Sequence, residues 1–260
     1  MSESPGRLAS SVAAVRAYWN VRIHDLEITK HPVGSAGFFA DLDEYHFDKL
    51  HHLLRLIPFE EYGGRRVLEV GCGAGTDLVR FARHRARVTG IDIADSAIAL
   101  ARTNFRQQGL PAELLVADGE QLPFADGTFD LVYAHGVVQY TADGRRLVSE
   151  CRRVLRPGGR AIFQVYNRLS WLNALSKVMK VDLEHADAPA LRIYSIGEFR
   201  SLLSGFSRVQ IVPERFPVKS RLHRGWKGAV YNGLFVRAFN VLPRVLVRPL
   251  GWHLLAFCER

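Results

Sequence analysis

The chain has 260 residues, 48 % apolar and 23 % charged, which excludes a disordered chain and supplies a sizeable core without staples. A surplus of Lys and Arg (35) over Asp and Glu (26) gives a formal charge of +9. That surplus suits a negative partner (nucleic acid, an anionic membrane surface or an acidic substrate) or a plain solvated basic surface.

The N-terminal MSESPGRLAS has no apolar stretch of the signal-peptide kind, and the chain has no run of 18 uncharged apolar residues, so neither a signal peptide nor a membrane span is expected. The first 60 residues are rich in aromatics and histidines. Helices are predicted near 8–20 and 42–57, with Pro32, Gly34 and Gly37 marking the loop between them. From there strands alternate with helices. RRVLEV (65–70), ARVTGID (86–92), AELLVAD (112–118), FDLVYAH (129–135) and RAIFQVYN (160–167) read as strands. Helices are predicted over 76–84, 96–108 and 143–156, the last stopped by Pro157 and two glycines. This alternation is the signature of an α/β fold, an open parallel sheet with helices on both faces. A helix over 195–204 opens on a capping pair, Ser195 and Glu198, and strands follow at 207–213 and 251–260. Between those two strands, 214–250 reads as an insertion with eight Lys or Arg against one Glu.

Cys72, Cys151 and Cys258 are far apart, with no C-x-x-C pair and no disulfide framework. A reducing compartment, the cytoplasm, is therefore expected. No metal ligands are assigned, and a metal site at the adjacent His51 and His52 is not expected because they point in different directions on a helix.

The sharpest feature is VLEVGCGAGTD (67–77), which sets Gly71, Gly73 and Gly75, with Cys72 among them, between a strand and a helix. Small residues there let the backbone approach a ligand, or simply make a tight turn. Asp92, 21 residues after Gly71, ends the next strand where a carboxylate reaches ribose hydroxyls. The G-x-G-x-G spacing departs from the dinucleotide fingerprint, and Glu69 lies where a pyrophosphate would be repelled but a cationic amino-acid ligand tolerated.

With these residues in place, the chain resembles the class I S-adenosylmethionine-dependent methyltransferases, especially the quinone-biosynthesis and sterol-type small-molecule branch. VLEVGCGAG, GIDIADSAIALAR (90–102), VADGEQLPFADGTFDLVYAHGVVQY (116–140) and RVLRPGGRAIF (153–163) follow that family's motif order over roughly 66–165. The resemblance implies a Rossmann-like, seven-stranded, mostly parallel sheet with the last strand antiparallel. Residues 1–60 would then form an N-terminal helical cap on a domain over 61–260, with 214–250 as a lid or interface segment. It implies S-adenosyl-L-methionine as cofactor, with Glu69, Gly71, Cys72, Gly73 and Gly75 facing its methionine part, Asp92 its ribose, and Ile93, Asp118 and Gly119 its adenine. His135 would stand at the mouth of that pocket.

His135 is the first candidate for a base or an acceptor-positioning group, against a role only in shaping the cofactor pocket. The family's histidine pair four and five residues later is absent, Gln139 and Tyr140 standing there. Tyr18, Trp19 and His24 are candidates to line the active site from an N-terminal helix, Tyr18 and His24 at the acceptor and Trp19 at the cofactor. An aromatic stripe packing on the core is the competing reading. Tyr45 and His46 are weaker candidates, and Tyr166, ending the fifth strand, is a candidate acceptor contact. His185 and His223 read as surface groups.

A small, hydrophobic or lipid-like acceptor is the leading expectation. The 214–250 segment suits a lid over it, a peripheral contact with the inner face of a membrane, or a partner chain. An RNA or DNA methyltransferase is less well supported, because AHGVVQY lacks the polar-Pro-Pro-aromatic run after the fourth strand and no Pro-Cys nucleophile occurs. A non-catalytic binding module would be signalled by loss of the glycines or of Asp92, and all are present.

Overall fold

The computed structural model describes residues 5–22, 28–180, 183, 185–217 and 229–260. Its centre is a seven-stranded sheet of β1 (Arg66–Val70), β2 (Arg87–Asp92), β3 (Glu113–Val116), β4 (Phe129–His135), β5 (Leu155–Tyr166), β6 (Arg208–Glu214) and β7 (His253–Glu259). The spatial order is β3-β2-β1-β4-β5-β7-β6, with β7 antiparallel to both β5 and β6 and β1 through β5 parallel. The class read from the sequence is the one the molecule adopts.

The central strands are buried on both faces, as parallel strands require. In β4, Leu131 and Tyr133 enter one core, while Val132 and Ala134 enter the other. The first core is closed by Leu78 and Phe81 of α4 (Thr76–Arg83) and by Ile98, Ala101 and Phe105 of α5 (Asp95–Gln108). The second is closed by Leu147, Val148 and Cys151 of α6 (Gly144–Val154) and Phe199 of α8 (Ile196–Leu202). Ser195 and Glu198 form the capping box that their spacing predicted.

Three elements differ from expectation. The helix predicted over 42–57 is two helices, α2 (Ala36–Lys49) and α3 (His52–Leu56), broken at Leu50. α2 starts early because the Ser35 hydroxyl accepts the Phe38 amide at 3.2 Å. α6 ends at Val154, and β5 begins at once, Leu155 pairing with Phe129 before a register irregularity. Pro157, with no amide hydrogen, suits that irregular stretch rather than a helix. Finally, α7 (Trp171–Met179) was not foreseen; it is capped by Ser170, which accepts the Asn173 amide.

At the N-terminus, α1 (Pro5–Asn20) reaches the start of α5, where Arg16 pairs with Asp95 at 2.8 Å and Asn20 accepts the Ser96 amide. In the 214–250 stretch, a π-turn (Tyr231–Phe235) leads into α9 (Val236–Val241) and α10 (Arg244–Val247). This segment is pinned by Trp171, whose ring lies 5.9 Å from Phe235 and 6.4 Å from Phe239. No described helix is long and apolar enough to cross a membrane.

Candidate active site

A cavity of about 280 Å³ opens at the carboxyl ends of β1, β2, β4 and β5, where ligands bind in open α/β sheets. The glycine loop forms one wall. Gly71 has φ +71°, and a Cβ on it would lie 2.3 Å from Val137 Cγ2. Gly73 also has a left-handed φ, +54°, but a Cβ there would meet nothing within 4 Å and would project into open space. The first glycine is thus imposed by packing and backbone, whereas the second keeps the cavity clear.

The loop is tied at both ends. Ile91 O accepts the Gly71 and Cys72 amides at 2.7 and 2.9 Å, and Asp92 Oδ2 accepts the Gly73 amide at 3.0 Å. Asp92 Oδ1 accepts from Ala94 N at 2.9 Å. Burial raises the Asp92 carboxyl above its ordinary value despite these amides. Glu69 is buried, its Oε2 has no hydrogen-bond partner among the described residues, and burial together with nearby Asp77 and Asp92 pushes its carboxyl well up. Five carboxyls, those of Glu69, Asp77, Asp92, Asp118 and Glu120, line one cavity, an arrangement that favours a cationic guest.

Ile93, Asp118 and Gly119 line the same cavity. Asp118 Oδ1 is engaged by the Glu120 amide at 2.8 Å. Gly119 is needed by its neighbours, since a Cβ would fall 2.9 Å from Val70 Cγ1. Cys72 also lines the cavity, and burial raises its thiol well above the ordinary range.

At the other end, His135 Nδ1 lies 3.6 Å from Asp77 Oδ2, and His46 Nε2 lies 3.0 Å from Asp77 Oδ1. The Tyr133 hydroxyl donates to Asp77 Oδ2 at 3.0 Å. Burial alone would raise the Asp77 carboxyl, but His46, His135 and the tyrosine hydroxyl hold it below its ordinary value. Beyond His135, the His253 ring lies 5.8 Å away and its Nε2 is 2.9 Å from Arg215 Nη1. Burial, then the Arg215 charge, drives the His253 pKa far down and keeps the ring neutral. Lys49 and Gln164 complete this polar end.

The aromatic candidates separate. Trp19 lines the cavity, its ring set edge-on at 5.2 Å to Tyr140. Tyr166 lines it too, stacked on Trp252 at 4.4 Å, with its hydroxyl 3.2 Å from that of Tyr140. Tyr18 is not among the residues lining this cavity. Its hydroxyl donates to Asp187 Oδ1 at 2.8 Å and its pKa is pushed up to about 12, by burial first and Asp187 next. His185, read as a surface group, sits 5.0 Å from Trp19 in this aromatic cluster. Tyr45 does not line the cavity either, whereas His46 does. His24 and His223 lie outside the described residues. Asp77, Lys49, Gln164, Arg215 and His253 went unremarked in the sequence. Only Asp77, in the first turn after the glycine loop, and Gln164, near the end of β5, stood next to a recognised signal.

Residues 68–163 match the family model described as "Methyltransferase domain". The chain is 33 % identical over 105 residues to the ubiquinone biosynthesis O-methyltransferase of Coxiella burnetii, covering 40 % of this chain and 45 % of that protein. It is 43 % identical over 101 residues to the phosphatidylethanolamine N-methyltransferase of Cereibacter sphaeroides, covering 38 % of this chain and 49 % of that one. The chain thus spans about half the length of these curated relatives. In structure it is similar to geranyl diphosphate C-methyltransferase from Streptomyces coelicolor A3(2), with a TM-score of 0.62 and 18 % identity over all of both chains. At that identity the likeness bears on the fold alone.

Proposed function

We propose that this chain, whose residues 68–163 match a methyltransferase-domain model, is a class I S-adenosylmethionine-dependent methyltransferase that transfers a methyl group to a small, hydrophobic or lipid-like acceptor. The observation that carries the reading is the cavity itself, where an open glycine wall meets the carboxyls of Glu69 and Asp92 at the ends of β1 and β2.

The residues present fit S-adenosylmethionine. The open space over Gly73 and the unpartnered Glu69 Oε2 are a cradle and a hydrogen-bond acceptor for a cationic amino-acid group. Asp92 would hold the ribose hydroxyls with the lone pairs that the Gly73 and Ala94 amides leave free. Ile93 and Asp118 would border the adenine, and Trp19 would shield the cofactor. When bound, the cofactor supplies an activated methyl group on a sulfonium. The protein's task is then alignment and exclusion of water. His135 and Tyr166, at the ends of β4 and β5, would position the acceptor's nucleophilic atom.

The apolar acceptor is supported by the cavity's N-terminal side, where Val12, Val15, Leu42 and Leu50 face it. It is supported further by the outer surface of 229–250. Val241 and Val245 are each 84 % exposed and Leu246 is 68 % exposed, with Leu234 alike and the cations Arg237 and Arg248 in the same segment. Apolar anchors among cations suit an anionic membrane surface, where such an acceptor resides. The segment joins the cavity through Trp171, whose indole N–H donates to the Arg215 carbonyl at 2.8 Å.

The deciding experiment is calorimetric binding of S-adenosylmethionine and S-adenosylhomocysteine, with NADH as a control. Micromolar binding of the first two, followed by mass-spectrometric detection of methylated quinone-like, sterol-like or phospholipid acceptors, is the expected result. Binding of NADH in their place would overturn the reading.

A further inference from the structure

We propose that His46, Asp77 and His135 bind a divalent transition-metal ion of the zinc type on the acceptor side of the cavity. The three side chains come from α2, α4 and β4, and one ligand atom from each lies within 4.8 Å of the other two. A tetrahedral ion with bonds of about 2.1 Å holds its ligands about 3.4 Å apart. His46 Nε2 lies 3.0 Å from Asp77 Oδ1 and His135 Nδ1 lies 3.6 Å from Asp77 Oδ2, separations that bracket that value, one through each carboxylate oxygen.

The donor set selects the ion. Two imidazole nitrogens and one carboxylate oxygen suit zinc and its first-row neighbours, whereas calcium and magnesium take oxygen ligands. The surroundings hold the ligands in place, as the outer shell of a metal site does. The Tyr133 hydroxyl fixes Asp77, the His135 ring stacks on Tyr133 at an interplanar angle of 12°, and the His46 ring meets Phe47 edge-on at 4.8 Å. The Asp77 side chain is 4 % exposed, so the carboxylate lies away from bulk water with both histidines against it.

All three residues line the cavity, so the remaining coordination position faces it. Three protein ligands with an open fourth position are the pattern of a catalytic rather than a structural zinc site. The class of acceptor that such an ion takes presents an oxygen to it, a hydroxyl or a carbonyl. The acceptor assignment rests on the methyltransferase reading; the ion site does not. It also separates the carboxyls by task, with Glu69 and Asp92 facing the cofactor and Asp77 the ion.

The test uses the full, untagged chain stripped of metal. Cobalt(II) is titrated in and followed by its visible ligand-field bands, and zinc binding is measured by calorimetry. One ion per chain is expected, with four- or five-coordinate cobalt bands. His46→Gln and His135→Gln should each weaken binding by more than about 10-fold, and Tyr133→Phe by about 10-fold. His51→Ala, an exposed neighbour, should leave it unchanged. Melting temperatures and circular dichroism identify any variant that fails to fold, and His46→Gln, at the least buried of the three side chains (19 % exposed), serves if His135→Gln fails to fold. Absence of stoichiometric binding, or equal affinity in wild type and both histidine variants, would overturn the site. S-adenosylhomocysteine affinity is measured on the same samples. Cobalt binding without it would leave the ion site standing and remove the methyltransferase reading, and the reverse result would remove only the ion site.

Discussion

The Asp92 carboxylate accepts the Gly73 amide at 3.0 Å, so the end of β2 clamps the tip of the glycine loop. One residue thereby has two tasks, holding the loop and facing the ribose in the proposed complex. Asp92→Ala should weaken S-adenosylhomocysteine binding by about 1–3 kcal/mol through lost hydrogen bonds. Calorimetry checks this, and an unchanged affinity would displace the ribose from this position.

Two glycines of one loop should fail in different ways. Gly71→Ala forces a left-handed residue and a Cβ against Val137, so a stability loss of about 2–5 kcal/mol is expected from strain and overpacking together. Gly73→Ala meets no neighbour, so it should cost only about 1–2 kcal/mol of stability. Its methyl group enters the cavity and should lower cofactor affinity instead. Urea unfolding beside calorimetry separates the two, and identical profiles would contradict the assignment.

Acid should release one specific staple. Arg153 donates to both oxygens of Glu150 at 2.8 Å and to the Leu122 and Phe124 carbonyls, holding the turn before β4. The paired guanidinium, with the Leu122 amide, keeps the Glu150 carboxyl below its ordinary value. The unfolded chain therefore takes up the proton first, and the stabilisation is complete above about pH 4.3 and fades as pH falls through the folded value. Glu150→Gln should cost about 1 kcal/mol at neutral pH, with the wild-type and variant stabilities converging in acid. Denaturant titrations from pH 7 downward measure this, and a constant gap would be the contrary result.

The exposed apolar surface predicts a membrane phenotype. The double change Val245→Glu with Leu246→Glu should abolish co-sedimentation with anionic vesicles and leave S-adenosylhomocysteine affinity intact. Retained sedimentation would assign those side chains to another surface.

Much of the sheet was legible because each strand is a short apolar run bounded by turn residues, and the capping pair at Ser195 marked its helix. α7 was missed because its decisive contact, Trp171 on Phe235 and Phe239, spans more than sixty residues of chain. The glycine wall was readable for the same local reason as the strands. The grouping at the polar end of the cavity was not. His135 and His46 were candidates one by one and Asp77 follows the glycine loop, but the three meet only because α2, α4 and β4 converge. Which of Tyr18 and Trp19 faces the cavity was not legible, because adjacent residues on a helix face different ways: Trp19 turns to the cavity and Tyr18 to Asp187.

The strand order has a consequence for how the protein is made. β7 lies between β5 and β6 although it follows both in the chain. Until residues 253–259 leave the ribosome, β5 presents an unpaired edge and β6 has no partner in the sheet. A nascent chain stalled before that point carries an open, apolar sheet edge of the kind that recruits foreign strands. Pairing of β7 is therefore the step that closes the edge of β5 and joins β6 to the sheet.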